Sequence, residues 1–389
     1  MQINGMYANA VVHTDSIEEG ARRQIEDLCN QPMARDAHIR IMPDVHAGAG
    51  CVIGYTARMT DRTVPNLIGV DIGCGVASWR IGKRDTSVAS FKRLDEVIRR
   101  TVPSGRKVHR SFMEEDAEHV YNRMRADKPF GWFLKRITDV CRRTGQNEEY
   151  VLRSVGTLGG GNHFIELDQD EEKVQWLTIH SGSRNFGLRV AQYHQKIARN
   201  QSRGENAGTV TGLEYLEGKK RDEYHEDMRI AQTYAALNRR VMGYVLLHNR
   251  YGMEYAEPVE SVHNYISFSD GIVRKGAISA HKGETVIIPL SMGDGIIIGR
   301  GRGNPEWNCS APHGAGRRMS RTQAKKSIPL PDFERIMKER MVYSSTVNGR
   351  TLDEAPQAYK QPDVVLARIS ETVEILYRMM PVYNFKAAD

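Results

Sequence analysis

The stretch GVDIGCGV, residues 69–76, sets Asp71 and Cys74 three residues apart and surrounds both with glycine. A buried strand does not select these residues, and a disulfide needs a second cysteine within reach. What remains is a carboxylate and a thiolate held close by tightly folded backbone. Residues 41–80 around this stretch are short apolar pieces broken by glycine, the pattern of strands joined by tight loops. Residues 151–187 and 255–300 have the same character. Between them, residues 88–153 are charged and helical in pattern (ASFKRLDEVIRR, FGWFLKRITDVCRR) and form a candidate inserted lobe. Residues 16–30 predict a capped helix with Ile17, Ala21, Ile25 and Leu28 on one face. Residues 222–250 predict a long amphipathic helix, and the run DVVLARISETVEILYRMM near the end predicts another. The sum is a mixed α+β domain whose loops carry the unusual residues.

Composition bounds the function class. With 389 residues, 40% hydrophobic and 26% charged, the chain can bury one large core or two modest ones. No run of about 18 apolar residues occurs, so no membrane span is expected. The opening MQINGMYANA has no basic segment followed by an apolar one, so no secretory signal is expected. The 5 cysteines (Cys29, Cys51, Cys74, Cys141, Cys309) are odd in number and scattered, without a CxxC pair. That predicts a reducing, cytoplasmic setting and no disulfide framework. The formal net charge of +7 favours a polyanionic partner, most simply nucleic acid.

Further loop-like stretches, rich in glycine, serine or asparagine, accompany residues 69–76. They are MPDVHAGAG (42–50), GTLGGGNHFIEL (156–167), IHSGSRNFG (179–187), SVHNY (261–265) and CSAPHGAGRRMSR (309–321). The last four carry His163, His180, His263 and His313, drawn from 13 histidines in all. With Asp71 and Cys74 they offer one carboxylate, one thiolate and several imidazoles. A thiolate can bridge two metal ions while the other groups complete two coordination shells. Two such ions can clamp a phosphate, and glycines let backbone N–H groups approach it. A histidine left outside the shells can attack phosphorus. His313 is the best candidate, because Arg317 and Arg318 follow it and can balance phosphate charge.

Each residue also has a plain reading. Asp71 alone reads as a turn cap and Cys74 as a small buried hydrophobe. His163 can be a satisfied core histidine. His180 can neighbour a helix cap at Ser181 or Ser183, and His263 can bond backbone. Cys51 and Cys309 receive no role, and His46 a structural or supporting one. Five glycine-rich loops that each carry a metal-capable residue are harder to explain by packing alone.

These motifs, with SMGD (291–294) and EAPQAYK (354–360), together resemble RtcB-type RNA ligases, which join 3′-phosphate to 5′-hydroxyl RNA ends. The resemblance runs from residue 42 nearly to the C-terminus. It is closest to the compact bacterial branch associated with a release-factor-H-like protein. It implies a single RtcB-like domain over residues 1–389, mixed β-sheets with surrounding helices, and a central two-metal cleft. It implies GTP and two Mn²⁺ ions as cofactors. Cys74 matches the bridging thiolate; Asp71 and His163 match the other ligands of one ion, and His180 and His263 those of the second. His313 matches the nucleophile that takes GMP. Asn162, His163, Phe164, Ile165, Glu166, Asn264, Pro289, Leu290, Ser291, Met292, Gly314, Ala315, Gly316, Tyr359 and Lys386 fall on the nucleotide segments, with Glu166 placed to read the guanine edge and Tyr359 to stack on the base. Leu290 stands where the family usually has glycine and Ile296 where it has serine, and the last residues read KAAD in place of KG.

The expected partner is RNA with 3′-phosphate or 2′,3′-cyclic phosphate and 5′-hydroxyl ends, from transfer or ribosomal RNA, bound by a monomer. Arg184, Arg189 and Arg317 are the candidate phosphate contacts, with the amides of a helix starting near Arg184 adding to anion binding. Two other classes stay open: a two-metal phosphoesterase acting on RNA ends, and a non-catalytic RNA-binding protein.

Overall fold

The computed structural model describes residues 1–124, 126–202 and 209–387; Ala388 and Asp389 of the KAAD ending lie outside the described residues. Two sheets organise it. The larger has seven antiparallel strands, in the order Val259–Val262, Gly75–Gly82, Gln175–Ser181, Phe164–Gln169, Val373–Lys386, Ile296–Gly301 and Thr285–Pro289. It curls until its edges meet, where the Ile287 amide donates to Ser261 Oγ (2.9 Å). Val76, Ile287, Ile296, Ile298 and Met379 fill the space within the curl. The second sheet has six strands, in the order Gln2–Asn4, Asn9–Val12, Ile39–His46, Ile53–Arg58, Ile272–Lys275 and Asn264–Ser267.

The chain passes from one sheet to the other at His263. The strand Val259–Val262 belongs to the first sheet and Asn264–Ser267 to the second. A cleft between the sheets therefore receives loops from both, and the unusual residues lie there.

Helices cover the sheets, as expected for the mixed α+β class. The helix Gly218–Tyr251, 34 residues long, buries Met242, Leu246 and Leu247 against Trp79 and Leu177 of the larger sheet. Residues 88–153 form the helices Val88–Thr101, Glu114–Arg123, Phe130–Thr144 and Glu148–Arg153. Phe91, Leu94 and Ile98 of the first join the same core as Leu246. Val120, Phe133 and Ile137 of the next two pack in a cluster with Tyr224 and Met228 of the long helix. Among the described residues, no helix is long and apolar enough to cross a membrane.

Two expectations need correction. The helix expected over residues 16–30 spans Glu19–Cys29, and its N-cap residue, Glu18, makes no side-chain cap bond. The Thr14 hydroxyl bonds the Ser16 carbonyl instead, so residues 16–18 stay outside the helix. The helix expected near the end is helical only over Pro362–Ile369. Val373–Lys386 is a central strand, paired first with Ile296–Gly301 and then with Phe164–Gln169. Sheet pairing along 14 residues outweighs the local helical pattern there.

Candidate functional site

Local backbone explains the opening stretch. Gly73 has φ +72°, and a Cβ there would lie 2.9 Å from the Ala235 Cβ of the long helix. A glycine is required for so close a turn, and that turn carries Asp71 and Cys74 on its two sides. The buried Arg239 guanidinium, also on the long helix, donates to the carbonyls of Gly73 (2.7 Å) and Ser181 (2.8 Å). Asn238 beside it donates to the carbonyls of Thr157 (3.1 Å) and Gly182 (3.0 Å) and accepts from the Thr157 amide (3.0 Å). One helix therefore ties three of the glycine-rich loops together.

The five metal-capable residues converge. Asp71 Oδ2 lies 3.0 Å from His163 Nε2, which lies 3.5 Å from Cys74 Sγ. Cys74 Sγ is 3.3 Å from His180 Nε2, and His180 Nε2 is 3.4 Å from His263 Nε2. These side chains form two groups, Asp71–Cys74–His163 and Cys74–His180–His263, whose ligand atoms lie within 4.8 Å of one another. Cys74 belongs to both. His163 Nδ1 faces the Leu158 carbonyl (2.8 Å) and His180 Nδ1 the Asn162 carbonyl (3.2 Å). An Nδ1–H donated to each carbonyl leaves Nε2 as a lone pair aimed at the cluster, the arrangement a metal-binding histidine needs.

The electrostatics agree. Burial pushes the His180 and His263 imidazoles well below their usual range, and the neighbouring imidazoles push the same way, so both are neutral. Burial works to raise the Asp71 carboxyl, but its contact with His163 and the Arg184 guanidinium hold it low. Burial and the Asp71 charge push the Cys74 thiol well up. A neighbouring cation reverses that balance and favours the thiolate. The donor set, one carboxylate, one sulfur and three imidazole nitrogens, fits two divalent ions that share Cys74.

His313 stands beside this cluster, its ring centroid 4.9 Å from that of His263. Its Nδ1 lies 2.7 Å from Oδ2 of the fully buried Asp44, which also accepts the His313 amide (3.2 Å). Asp44 thus fixes the tautomer that carries the proton on Nδ1 and leaves Nε2 free as a nucleophile. Sequence reasoning missed Asp44, although it lies in the quoted MPDVHAGAG stretch, where His46 drew attention instead. His46 lines the cavity too. Burial lowers its pKa to about 4, and its Nδ1 faces the Asp44 carbonyl (3.0 Å).

A cavity of about 280 Å³ opens from the cluster. Asn162, Phe164, Glu166, Asn264, Pro289, Leu290, Ser291, Met292, Gly314, Ala315, Gly316, Tyr359 and Lys386 line it, with His313 and Arg317. Ile165 does not: strand alternation turns it into the sheet core with Leu167 and Leu177, while Phe164 and Glu166 face the cavity. Ile296 is also core, packed with Val76 and Met379, so its departure from the family pattern does not reach the cavity. Leu290 does reach it.

At the far end, Glu354 is buried among cations. Its Oε2 accepts from Lys386 Nζ and the Tyr359 hydroxyl (2.8 Å each), and its Oε1 from Arg317 (3.2 Å). Arg321 lies 3.3 Å from it. Burial works to raise the Glu354 carboxyl, but these cations hold it below its usual range. Glu354 was the first letter of the quoted EAPQAYK and received no role from the sequence. Glu166 accepts from Asn384 Nδ2 and contacts Asp168 on the same strand face. Burial raises Glu166 to about 7, and burial with the Glu166 charge pushes Asp168 well above its usual range, so the two carboxyls share a proton.

The candidate phosphate contacts are dispersed. Arg184 donates to Thr157 Oγ1 (3.0 Å) and the Gly105 carbonyl (2.7 Å). Arg189 is exposed on the helix Arg184–Ser202, away from the cavity lining. Arg317 lines the cavity but holds Glu354 and stacks on the Tyr359 ring at 5.1 Å.

Comparison with known proteins now bears on this geometry. Residues 24–387 match the family model described as tRNA-splicing ligase RtcB. The RNA-splicing ligase RtcB of Escherichia coli (strain K12) is 33% identical over 397 residues, covering 95% of each chain. RNA-splicing ligase RtcB1 of Escherichia coli (strain ATCC 25922) is 33% identical over the same length and coverage. The tRNA-splicing ligase RtcB of Nanoarchaeum equitans is 27% identical over 429 residues, covering 90% of this chain and 88% of its own. With a family match along nearly its whole length and a matching set of loops around one cleft, this chain belongs to the RtcB family.

Proposed function

We propose that the protein is an RNA ligase that uses GTP and Mn²⁺ to join RNA 3′-phosphate or 2′,3′-cyclic phosphate ends to 5′-hydroxyl ends. The family assignment supports the ligase reading. One observation carries the mechanism: an imidazole outside the metal-capable cluster, His313, is set by Asp44 with Nε2 free at the cavity wall. Hydrolysis of RNA ends alone needs no nucleophile for GMP, whereas nucleotidyl transfer does.

In this reading His313 Nε2 attacks the α-phosphorus of GTP and pyrophosphate leaves, which gives a histidine–GMP phosphoramidate. The Nδ1 proton stays on the Asp44 side and stabilises the charge on the ring. GMP then passes to the RNA 3′-phosphate, formed where necessary by water opening the cyclic ester. The 5′-hydroxyl of the second strand attacks that phosphorus and GMP leaves. Asp71, Cys74 and His163 would hold one Mn²⁺, and Cys74, His180 and His263 the other. Bound there, the ions supply Lewis-acid neutralisation of phosphate charge. The usual affinity order favours Zn²⁺ on such a donor set, so Mn²⁺ loading reflects metal supply. In this reading Glu166 and Lys386 read the base edge, and Tyr359 stacks its flat ring on the base. The reading includes the compact bacterial branch associated with a release-factor-H-like protein, a transfer or ribosomal RNA substrate, and a cytoplasmic monomer.

The test is covalent labelling by radioactive GTP with Mn²⁺, wild type against His313→Ala. An acid-labile, alkali-stable adduct on the wild type alone is expected. If neither protein labels while metal and RNA still bind, the ligase mechanism fails, and hydrolysis of RNA 3′ ends becomes the next reaction to assay.

A further inference from the structure

Arg184 and Arg317 are spent on internal contacts, which leaves open where an RNA strand finds its counter-charges. Arg184 points to an answer through what it holds. Its guanidinium donates to the Gly105 carbonyl (2.7 Å), at the start of the segment GRKVHR, residues 105–110. That segment is locked to the loop carrying His163. The Gly105 amide donates to the Gly159 carbonyl (2.8 Å) and the Leu158 amide to the Pro103 carbonyl (2.9 Å). Leu158 in turn orients His163 (2.8 Å). Gly159 is wedged between the two: a Cβ there would lie 1.8 Å from Arg184 Nη1 and 2.8 Å from His163 Nδ1. The basic segment and the metal-capable cluster are thus parts of one backbone-bonded unit.

Arg106, Lys107 and Arg110 are exposed, as is Arg100 at the end of the preceding helix. Among the described residues, none of these four side chains makes an ion pair or hydrogen bond. Arg100 and Arg110 line a groove of about 670 Å³ between this segment and the C-terminal end of the long helix, where Asp116 is the one carboxylate in the lining. Four unpaired cations held rigidly beside a phosphoryl-transfer centre, on a chain of net charge +7, suit one occupant. We infer that the groove under residues 100–113 is an RNA-backbone site, which takes the phosphates of the strand whose end enters the metal cleft. This inference rests on the RNA ligase reading. It also assigns Arg184 a positioning role: it aims the basic segment.

The experiment uses the full chain and a single-stranded oligoribonucleotide of about twenty nucleotides with a 5′-hydroxyl end. Affinity is measured across salt for the wild type, for the Arg100→Ala/Arg106→Ala/Lys107→Ala/Arg110→Ala variant, and for an Arg100→Lys/Arg106→Lys/Arg110→Lys variant. GMP labelling of His313 is measured on each. The alanine variant is expected to bind RNA at least tenfold more weakly near physiological salt. Its log–log salt slope should be shallower by about 2–3, the loss expected for four single-strand phosphate contacts. The lysine variant should keep the wild-type slope, and labelling should be unchanged in all three. Equal RNA affinity and slope in the alanine variant overturn the groove. Loss of labelling together with RNA affinity also overturns it, because the segment then acts by supporting the centre. Absence of labelling in the wild type is a separate failure, that of the ligase reading, and the RNA titration still decides the groove.

Discussion

At the residue scale, the placement of protons decides the chemistry. Asp44 is fully buried, and its Oδ2 serves both the ring and the amide of His313. Asp44→Asn keeps the shape but presents an N–H or a weaker acceptor to Nδ1, which favours the wrong tautomer. The rate of GMP transfer to His313 at saturating GTP should fall by roughly 10²–10⁴-fold, with stability little changed. A wild-type rate would remove Asp44 from the mechanism. The Glu166–Asp168 pair makes a second prediction. Burial raises both carboxyls, so the folded state holds protons that the unfolded chain has released. Stability from such groups is full below the unfolded pKa and is lost as pH rises from there through the folded value, which for Glu166 is about 7. Asp168→Asn supplies a hydrogen-bond donor to Glu166 that cannot be titrated. Its melting temperature relative to wild type should rise between pH 5 and 7, by about 1–2 °C per pH unit. A parallel pH dependence of the two proteins would contradict the shared proton. These residues also mark what the sequence could reveal. His163, His180, His263 and His313 stood out because glycine-rich loops rarely carry so many imidazoles. Asp44 and Asp168 sit on strands, at positions where a lone acid gives no sign that it will be buried against a partner.

At the element scale, the long helix acts on the site without entering it. Asn238 and Arg239 bond the loops of Thr157, Gly73, Ser181 and Gly182 from one helical turn. Asn238→Ala orphans buried backbone groups at Thr157 and Gly182, at a cost of about 1–3 kcal/mol. It should also loosen the metal-capable cluster. Mn²⁺ affinity by calorimetry is expected to drop by roughly 10–100-fold, the usual effect of removing support from ligand-bearing groups. Unchanged affinity with lowered stability would make the helix a plain scaffold. The helix itself was legible, since its apolar spacing persists over many turns. The C-terminal strand Val373–Lys386 was not. Its residues Glu374, Ile375, Tyr377 and Arg378 are exposed on either side of a half-buried Leu376, so no alternation announces a sheet. Only its two neighbours, from distant parts of the chain, make it a strand.

At the scale of the whole molecule, the cleft lies between two sheets, with four of the five metal-capable residues on or beside strands of the larger sheet. Asp71 and Cys74 precede the strand Gly75–Gly82 of the larger sheet, and His180 lies on its neighbour. His263 stands at the crossing, and Asp44 belongs to the smaller sheet. Ions bound here would tie three strands and loops of the larger sheet to the crossing at His263, so metal binding should appear as added stability of the fold. At free Mn²⁺ roughly a hundred times its Kd, linkage predicts about 2.7 kcal/mol per site. The melting temperature of wild type should rise by a few degrees on adding Mn²⁺ and fall back with a chelator. Cys74 belongs to both ligand groups, whereas His163 belongs to one. Cys74→Ala should therefore lose most of the metal-induced shift and bind neither ion tightly. His163→Ala should keep part of the shift and retain about one ion per chain after gel filtration. If the two variants lose metal equally, the sites are a single coordination unit and the sharing of Cys74 has no separate meaning. If His163→Ala alone loses both ions, the bridge is not at Cys74, and the sulfur returns to its plain reading as a small buried hydrophobe.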